Sequence, residues 1–145
     1  FEIIDEIAEA VASGRTEIHL LGQIVNHYQA PDIEKCGFSE LLARIDRIAG
    51  VSRIRFASPH PRHVTTRVID AIRDLPSVCK HLHLPAQSGS DRILRAMNRQ
   101  HSTADYLRIV DKLRAARPEL AFLLVASTSV SASSSCRWSR STRTS

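Results

Sequence analysis

The sequence predicts an α/β protein in which short strands alternate with helices and the strands form a parallel sheet. Four short segments of strand character begin near residues 17, 53, 80 and 120. Between them, apolar residues recur three and four positions apart, which is typical of amphipathic helices. Two strands of one sheet that are joined through a helix run parallel. Such units fit either part of a TIM-like barrel or half of a doubly wound sheet, and we favour the barrel segment.

Five helices are expected from the apolar spacing and from residues that start or stop helices. They cover residues 1–13, 38–48, 64–75, 90–97 and 103–116. Ser39 is the expected N-cap of the second helix, because its hydroxyl can accept from a backbone N–H of the first turn, and Gly50 is its expected end. The buried stripe of the last helix is predicted to consist of Tyr106, Leu107, Val110 and Leu113.

The composition is that of a globular protein without a membrane span. Hydrophobic residues make up 43% of the chain and charged residues 24%, and no apolar run approaches the roughly 20 residues of a transmembrane helix. The net charge is +5, but three arginines lie in the segment 126–145, which has no acidic residue, so the signal for nucleic-acid binding is weak. Arg92, Arg95 and Arg99 are spaced to share one side of a helix, as a solvated face or as phosphate contacts.

The cysteines and histidines do not form a recognisable metal motif. Cys36, Cys79 and Cys136 are too far apart for a C-x-x-C or C-x-x-x-C-x-x-C ligand set and are expected to be reduced thiols. His81 and His83 lie on one side of a predicted strand, but a zinc site needs about three or four ligands. The sequence therefore predicts no metal site in this chain and assigns no catalytic residue.

Polar side chains follow each of the first three predicted strands. They are Gln23 and Asn26, then Ser58 and His60, then Gln87 and Ser90. Because the carboxyl ends of parallel strands open at the same mouth of a barrel, these three segments are expected to converge. Amides and hydroxyls both donate and accept hydrogen bonds, which suits a ligand with amino, carboxylate and ribose groups. The alternative is that these groups only cap helices and close turns.

Common nucleotide-binding and hydrolase signatures are missing from the sequence. No strand is followed by G-x-G-x-x-G, and there is no G-x-x-x-x-G-K-[ST]. Ser88 lacks the G-x-S-x-G context that exposes a nucleophile. Dinucleotide binding of the Rossmann type, P-loop chemistry and serine hydrolysis are therefore not expected.

Three separate segments resemble one known family in the family's own order. Residues 20–28 read LLGQIVNHY, residues 53–61 read RIRFASPHP, and residues 81–99 read HLHLPAQSGSDRILRAMNR. Together they resemble the radical-SAM methylthiotransferases, most closely the MiaB-type enzymes that act on tRNA. The resemblance runs from about residue 1 to residue 121.

This resemblance implies a partial TIM barrel that adds a methylthio group to an isopentenylated adenosine beside the tRNA anticodon. It implies S-adenosylmethionine and 4Fe-4S clusters as cofactors, tRNA together with sulfur and electron donors as partners, no membrane, and a cytoplasmic location. Gln23, Asn26, Gln87 and Ser90 would face adenosylmethionine. Ser58 and His60 would face the substrate.

Departures from the family pattern suggest that the chain is an internal fragment. The cluster cysteines and the RNA-binding TRAM domain of the family are outside it, and a Ser- and Arg-rich segment stands where a strand and Gly-Phe-Pro-Gly-Glu are expected. We expect residues 1–125 to be a piece of the core domain and residues 126–145 to be a disordered tail, possibly encoded after a frame shift. Alone, the chain is expected to be inactive.

Three alternatives remain open on the sequence. The chain could be a non-catalytic remnant with at most weak RNA or protein association. It could belong to a related methylthiotransferase that acts on threonylcarbamoyladenosine or on a ribosomal protein. It could also be an unrelated TIM-like enzyme with a neutral polar site.

Overall fold

The computed structural model describes residues 2–31, 36–57 and 59–123. Helices and strands alternate in the order α1 (Glu2–Ala12), β1 (Glu17–Leu20), α2 (Phe38–Asp46), β2 (Arg53–Phe56), α3 (Thr66–Asp74), β3 (His81–His83), α4 (Asp91–Ala96), α5 (Thr103–Ala116) and β4 (Ala121–Leu123). Single 3-10 turns at Val25–His27 and Pro61–His63 follow the first two strands. The tail predicted for residues 126–145 lies outside the described residues.

All strand pairs in the described part of the chain are parallel. Strand β1 pairs with β2, with Ile18 opposite Ile54, and β3 pairs with β4. Ile54 links the two pairs, because its N–H donates to the Ser77 carbonyl at 2.7 Å and its carbonyl accepts from the Cys79 N–H at 2.9 Å. The two pairs are thus joined through Val78, which precedes β3, and their parallel pairing confirms the prediction of parallel βα units.

The hydrophobic core lies between this sheet and its helices. Ile18, Ile54 and Leu82 occupy alternate strand positions and are buried in one cluster with the apolar stripes of the helices. The intervening positions of β1, β2 and β3 are polar and more exposed. On them the Glu17 carboxylate accepts from Arg53 at 3.1 Å and from Arg55 at 2.6 Å. Helices thus cover one face of the strands, and the other face is polar on β1, β2 and β3.

Helix α2 begins at Phe38 as predicted, but its cap differs from the prediction. Its N-cap is Gly37, and no side chain caps the first turn. The prediction that Ser39 is the cap is wrong, because the helix starts at Phe38 and Ser39 is already inside it. Thr65, by contrast, caps α3 by accepting from the Val68 N–H, which delays that helix to Thr66.

The buried stripe of α5 is narrower than predicted. Tyr106, Val110 and Leu113 are buried, whereas Leu107 is 51% exposed. Successive residues of a helix are about 100° apart, so Leu107 points well away from the stripe that its neighbour Tyr106 belongs to. None of the helices within the described ranges is both long enough and apolar enough to span a membrane.

Candidate functional site at the carboxyl ends of the strands

The connections that follow β1, β2 and β3 meet around one small pocket. Its volume is about 240 Å³, and it is lined by Gln23, Ile24, Pro59, His60, Pro61, Pro85, Gln87, Arg99 and His101. Each of the three loops contributes residues, as expected for the mouth of a parallel barrel. We call this the rim pocket. It brings together three of the predicted site residues: Gln23, His60 and Gln87.

Asn26 joins two of the loops below the rim pocket. Its side chain is buried, its amide nitrogen donates to the His60 carbonyl at 3.0 Å, and its amide oxygen accepts from the His60 N–H at 2.8 Å. Both ends of the amide are therefore occupied by one backbone unit. Asn26 does not line the pocket itself and instead holds the loop that does.

The loop after β3 places Gln87 in an uncommon backbone conformation. Its φ is 65°, in the left-handed region, and its side-chain oxygen accepts from Nη2 of Arg99 at 3.2 Å. A non-glycine residue held in this region is frequently part of a functional site, because the surrounding structure must offset the strain. Gln87 is thus fixed at the pocket wall by a charged partner.

Of the two serines predicted for the site, only Ser90 is among the described residues. Ser90 is the N-cap position of α4, and its backbone N–H donates to Oγ of the buried Ser88 at 3.2 Å. Ser90 does not line the rim pocket. Ser58 lies outside the described residues, so its predicted role has no structural counterpart here.

His60 has a defined orientation. Its Nδ1 accepts from the Arg62 N–H at 3.2 Å, which assigns the ring hydrogen of the neutral form to Nε2. Its ring centroid lies 5.8 Å from that of His63 and 5.4 Å from that of His101. Burial lowers the pKa of His60, and the neighbouring His101 and His63 lower it further. His60 is therefore held in its neutral form more strongly than a free histidine.

Sequence reasoning named Arg99 only as part of a helix face and did not single out His101, so it placed neither residue at the rim pocket. Arg99 was predicted to share a helix face with Arg92 and Arg95, but α4 ends at Ala96, so that prediction is wrong. Asn98 has a φ of 54°, and the Arg99 N–H donates back to the Leu94 carbonyl at 2.8 Å. This reversal turns Arg99 towards Gln87. The helix-stopping Asn98 was the signal that could have revealed it.

The described part of the chain offers no cluster of metal ligands. Cys36 is buried just before α2, and Cys79 is half-buried just before β3. No three histidine, cysteine or acidic side chains among the described residues are grouped so that they could hold a metal ion. Cys136 lies outside them.

Comparison with known proteins places this arrangement in a family. The model of the radical SAM superfamily matches residues 2–128, which include all four strands and every residue of the rim pocket. The chain belongs to the radical SAM superfamily.

Curated relatives of this radical SAM chain narrow the similarity further. It is 48% identical over 122 residues to a tRNA-2-methylthio-N(6)-dimethylallyladenosine synthase of Agrobacterium fabrum, which covers 83% of this chain and 27% of the relative. Enzymes of the same name from Caldicellulosiruptor saccharolyticus and Neisseria meningitidis serogroup A are 48% and 47% identical, over 83% and 82% of this chain and 26% and 27% of their own length. These similarities confirm the resemblance to the tRNA branch. The chain spans about a quarter of the length of these relatives.

Proposed function

We propose that this chain is part of the core of a methylthiotransferase that adds a methylthio group to isopentenylated adenosine beside the anticodon of cytoplasmic tRNA. Its 47–48% identity to enzymes named for this reaction supports the proposal. The observation that carries it is the rim pocket, because three loops within the matched range bring polar side chains to one point at the carboxyl edge of the sheet. Ligands of barrel enzymes bind at this edge.

The donors and acceptors of the rim pocket fit adenosylmethionine, which supplies the methyl group and the one-electron chemistry after which the superfamily is named. Gln23 and Gln87 are the proposed contacts, since each amide can serve an amino group, a carboxylate or a ribose. Asn26 and Ser90 would act on the same site by holding its loops. The pocket volume of about 240 Å³ is below the usual ~300–1,000 Å³ for a whole ligand, so it would receive one part of the cofactor or substrate.

His60 is the proposed contact to the adenosine substrate, together with Ser58. Because Nδ1 of His60 is already engaged by Arg62, Nε2–H is the group that can donate to a substrate acceptor. The Asn26 amide holds the backbone of His60 from both sides, which restricts where this donor can lie. In the proposed reaction His60 binds and orients the substrate.

Iron–sulfur clusters do not fit the residues described here. Such clusters are held by cysteine thiolates, and the described cysteines, Cys36 and Cys79, lie on different connections with no further ligands grouped around them. We therefore derive no step through a cluster. In the proposed function the ligands, the sulfur donor and the electron donor are supplied by other polypeptide, and this chain alone is expected to be inactive.

A chimeric enzyme tests the proposed function. The aligned segment of the Agrobacterium fabrum enzyme is replaced by the matching segment of this chain, and the chimera is expressed in a bacterium that lacks its own enzyme. Mass spectrometry of tRNA nucleosides is expected to show methylthiolated adenosine. Combining Gln23→Ala with Gln87→Ala is expected to lower the modified fraction by about tenfold or more, because two polar contacts are lost.

Gln100→Ala is the matched control, because Gln100 carries the same amide but is exposed and outside the pocket. It is expected to leave the modification unchanged. The unfused chain of 145 residues is expected to give none. A folded chimera without modification, or a double variant as active as the control, would contradict the proposal.

A further inference from the structure

Buried polar atoms without partners gather at one wall of the rim pocket. Nε of Arg99 is buried without a hydrogen-bond partner among the described residues, and the two buried ring nitrogens of His101 have at most one weak hydrogen bond between them, to the Ala86 backbone. Buried polar groups are paired in the great majority of cases, because an unpaired one costs free energy. Arg99 and His101 both line the rim pocket, so their polar atoms that lack good hydrogen-bond partners indicate that the pocket takes a polar ligand.

The same wall is rich in donors and carries positive charge. Arg99 is cationic, Nε2 of His60 carries a hydrogen, and none of the described residues that line the pocket is acidic. The nearest carboxylate that acts on His101 is Asp105, which is already engaged by Ser102 and by Arg108 at 3.0 Å. The group that would satisfy these donors is therefore a hydrogen-bond acceptor with negative charge.

We propose that Arg99, His101 and His60 form a binding site for a phosphate group, either free phosphate or a phosphate carried by a nucleotide. Guanidinium groups suit phosphate because their N–H groups match its oxygens, and imidazole N–H groups can serve its remaining oxygens. The pocket of about 240 Å³ admits such a group with part of a sugar. The nucleotide alternative rests on the proposed function, in which the substrate is a tRNA.

A phosphate site built from these groups takes up protons as it fills. Burial and the charge of Arg99 lower the pKa of His101, while the Asp105 carboxylate and a weak hydrogen bond to the Ala86 backbone oppose them. Burial, His101, His63, Arg99 and Arg62 lower the pKa of His60. A bound anion favours the protonated form of both rings and raises both pKa values. At about pH 8, where free phosphate is already largely the dianion and gives up few protons, binding is then accompanied by proton uptake by the two rings.

Titration of the full chain tests this site. Inorganic phosphate, adenosine monophosphate and adenosylmethionine are added separately, while the histidine ring resonances are followed by NMR and the heat is measured in two buffers of different ionisation enthalpy. At about pH 8 the first two ligands, which are then largely dianions, are expected to shift the His60 and His101 resonances and to give proton uptake. Tighter binding of the nucleotide identifies a nucleotide phosphate, and tighter binding of inorganic phosphate identifies a free anion.

Arg99→Gln is expected to weaken phosphate binding by about tenfold, because it removes a charged donor. Arg95→Gln is the matched control, since Arg95 is exposed on α4 and outside the pocket. His101→Phe keeps a ring at this position and is expected to abolish part of the proton uptake. Circular dichroism shows whether each variant is folded. If Arg99→Gln does not fold, phosphate binding and proton uptake by His101→Phe test the site instead.

Three results would overturn the phosphate site: unmoved His60 and His101 resonances, equal weakening by both arginine variants, or a response to adenosylmethionine alone. These results are distinguishable from failure of the proposed function. The chimera can lose tRNA modification through Gln23 and Gln87 while phosphate binding by this chain persists, and the reverse can also occur.

Discussion

At the scale of single residues, the site depends on a reciprocal pair between Asn26 and His60. The Asn26 amide donates to the His60 carbonyl and accepts from the His60 N–H, and these residues are 34 positions apart. A side chain that carries a donor and an acceptor on the same carbon, as a carboxamide does, can satisfy both backbone groups at once. The pair therefore sets the distance between the first two rim loops and leaves the His60 ring at the pocket.

Replacing Asn26 is expected to destabilise the fold as well as the pocket. Asn26→Asp keeps the acceptor but loses the donor and brings a carboxylate against the His60 carbonyl, so the free energy of unfolding is expected to fall by about 1–3 kcal/mol. Urea unfolding with an unchanged slope would measure the loss. Gln100→Glu makes the same amide-to-carboxylate change at an exposed position and is expected to have little effect. Equal urea midpoints for the two variants would contradict the stabilising role of the Asn26–His60 pair.

At the residue scale, the sequence located Gln23, His60 and Gln87 because each follows a strand of the parallel sheet. It did not place Arg99 and His101 at the pocket, which they reach only because the chain reverses after α4 at Asn98. Such a reversal depends on one left-handed residue. Apolar periodicity carries no information about it.

At the scale of elements, two glycines end the first two helical segments in left-handed conformations. Gly14 has a φ of +92° and open space around the place of a side chain. Gly50 has a φ of +101°, and a Cβ there would lie 2.6 Å from Cγ1 of Val11 on α1. Gly50 therefore permits both the end of the α2 segment and the close approach of α1 to it.

These glycines form a matched pair for a stability measurement. Gly14→Ala is expected to cost about 1–2 kcal/mol through backbone strain alone. Gly50→Ala adds a steric clash with Val11 and is expected to cost about 1–3 kcal/mol more. Thermal and urea unfolding of both variants would measure the difference. Equal losses would mean that Val11 moves aside without cost.

The observed helix boundaries match the predicted ones closely where capping residues give a strong local signal, and less closely where the caps are absent. Helix α5 spans Thr103–Ala116 as predicted, because Ser102 and Asp105 form a reciprocal capping box at its start. Helix α2 begins at Phe38 without a side-chain cap, so burial of its apolar stripe, rather than Ser39, sets its position.

At the scale of the whole molecule, the two parallel strand pairs leave β1 and β4 as outer strands. Among the described residues β1 pairs only with β2, and β4 pairs only with β3. Large apolar side chains are exposed beside these edges, with Leu21 74% exposed and Leu123 49% exposed. Unpaired strand edges with exposed apolar groups favour association with further chain, whether another part of a longer protein or a second copy.

Charging the outer strands is expected to reduce self-association of the isolated chain. Leu21→Lys with Leu123→Lys should lower the fraction of oligomers in sedimentation velocity runs at increasing concentration, because lysine at an edge opposes strand pairing. Leu107→Lys replaces an equally large, exposed leucine on α5 and is the control. If all variants associate as the unaltered chain does, the sheet edges are not responsible.

The sequence by itself determined the alternation of strands and helices, the parallel pairing and the edge at which polar loops meet, because these follow from local periodicity and from the geometry of parallel connections. Only the tertiary structure decided that the Asn26 amide is occupied by His60, that Leu107 lies outside the core, and that Arg99 and His101 close the rim pocket. The physical reason is that hydrogen-bond partners and burial depend on residues distant along the chain, and the pattern around one position does not contain them.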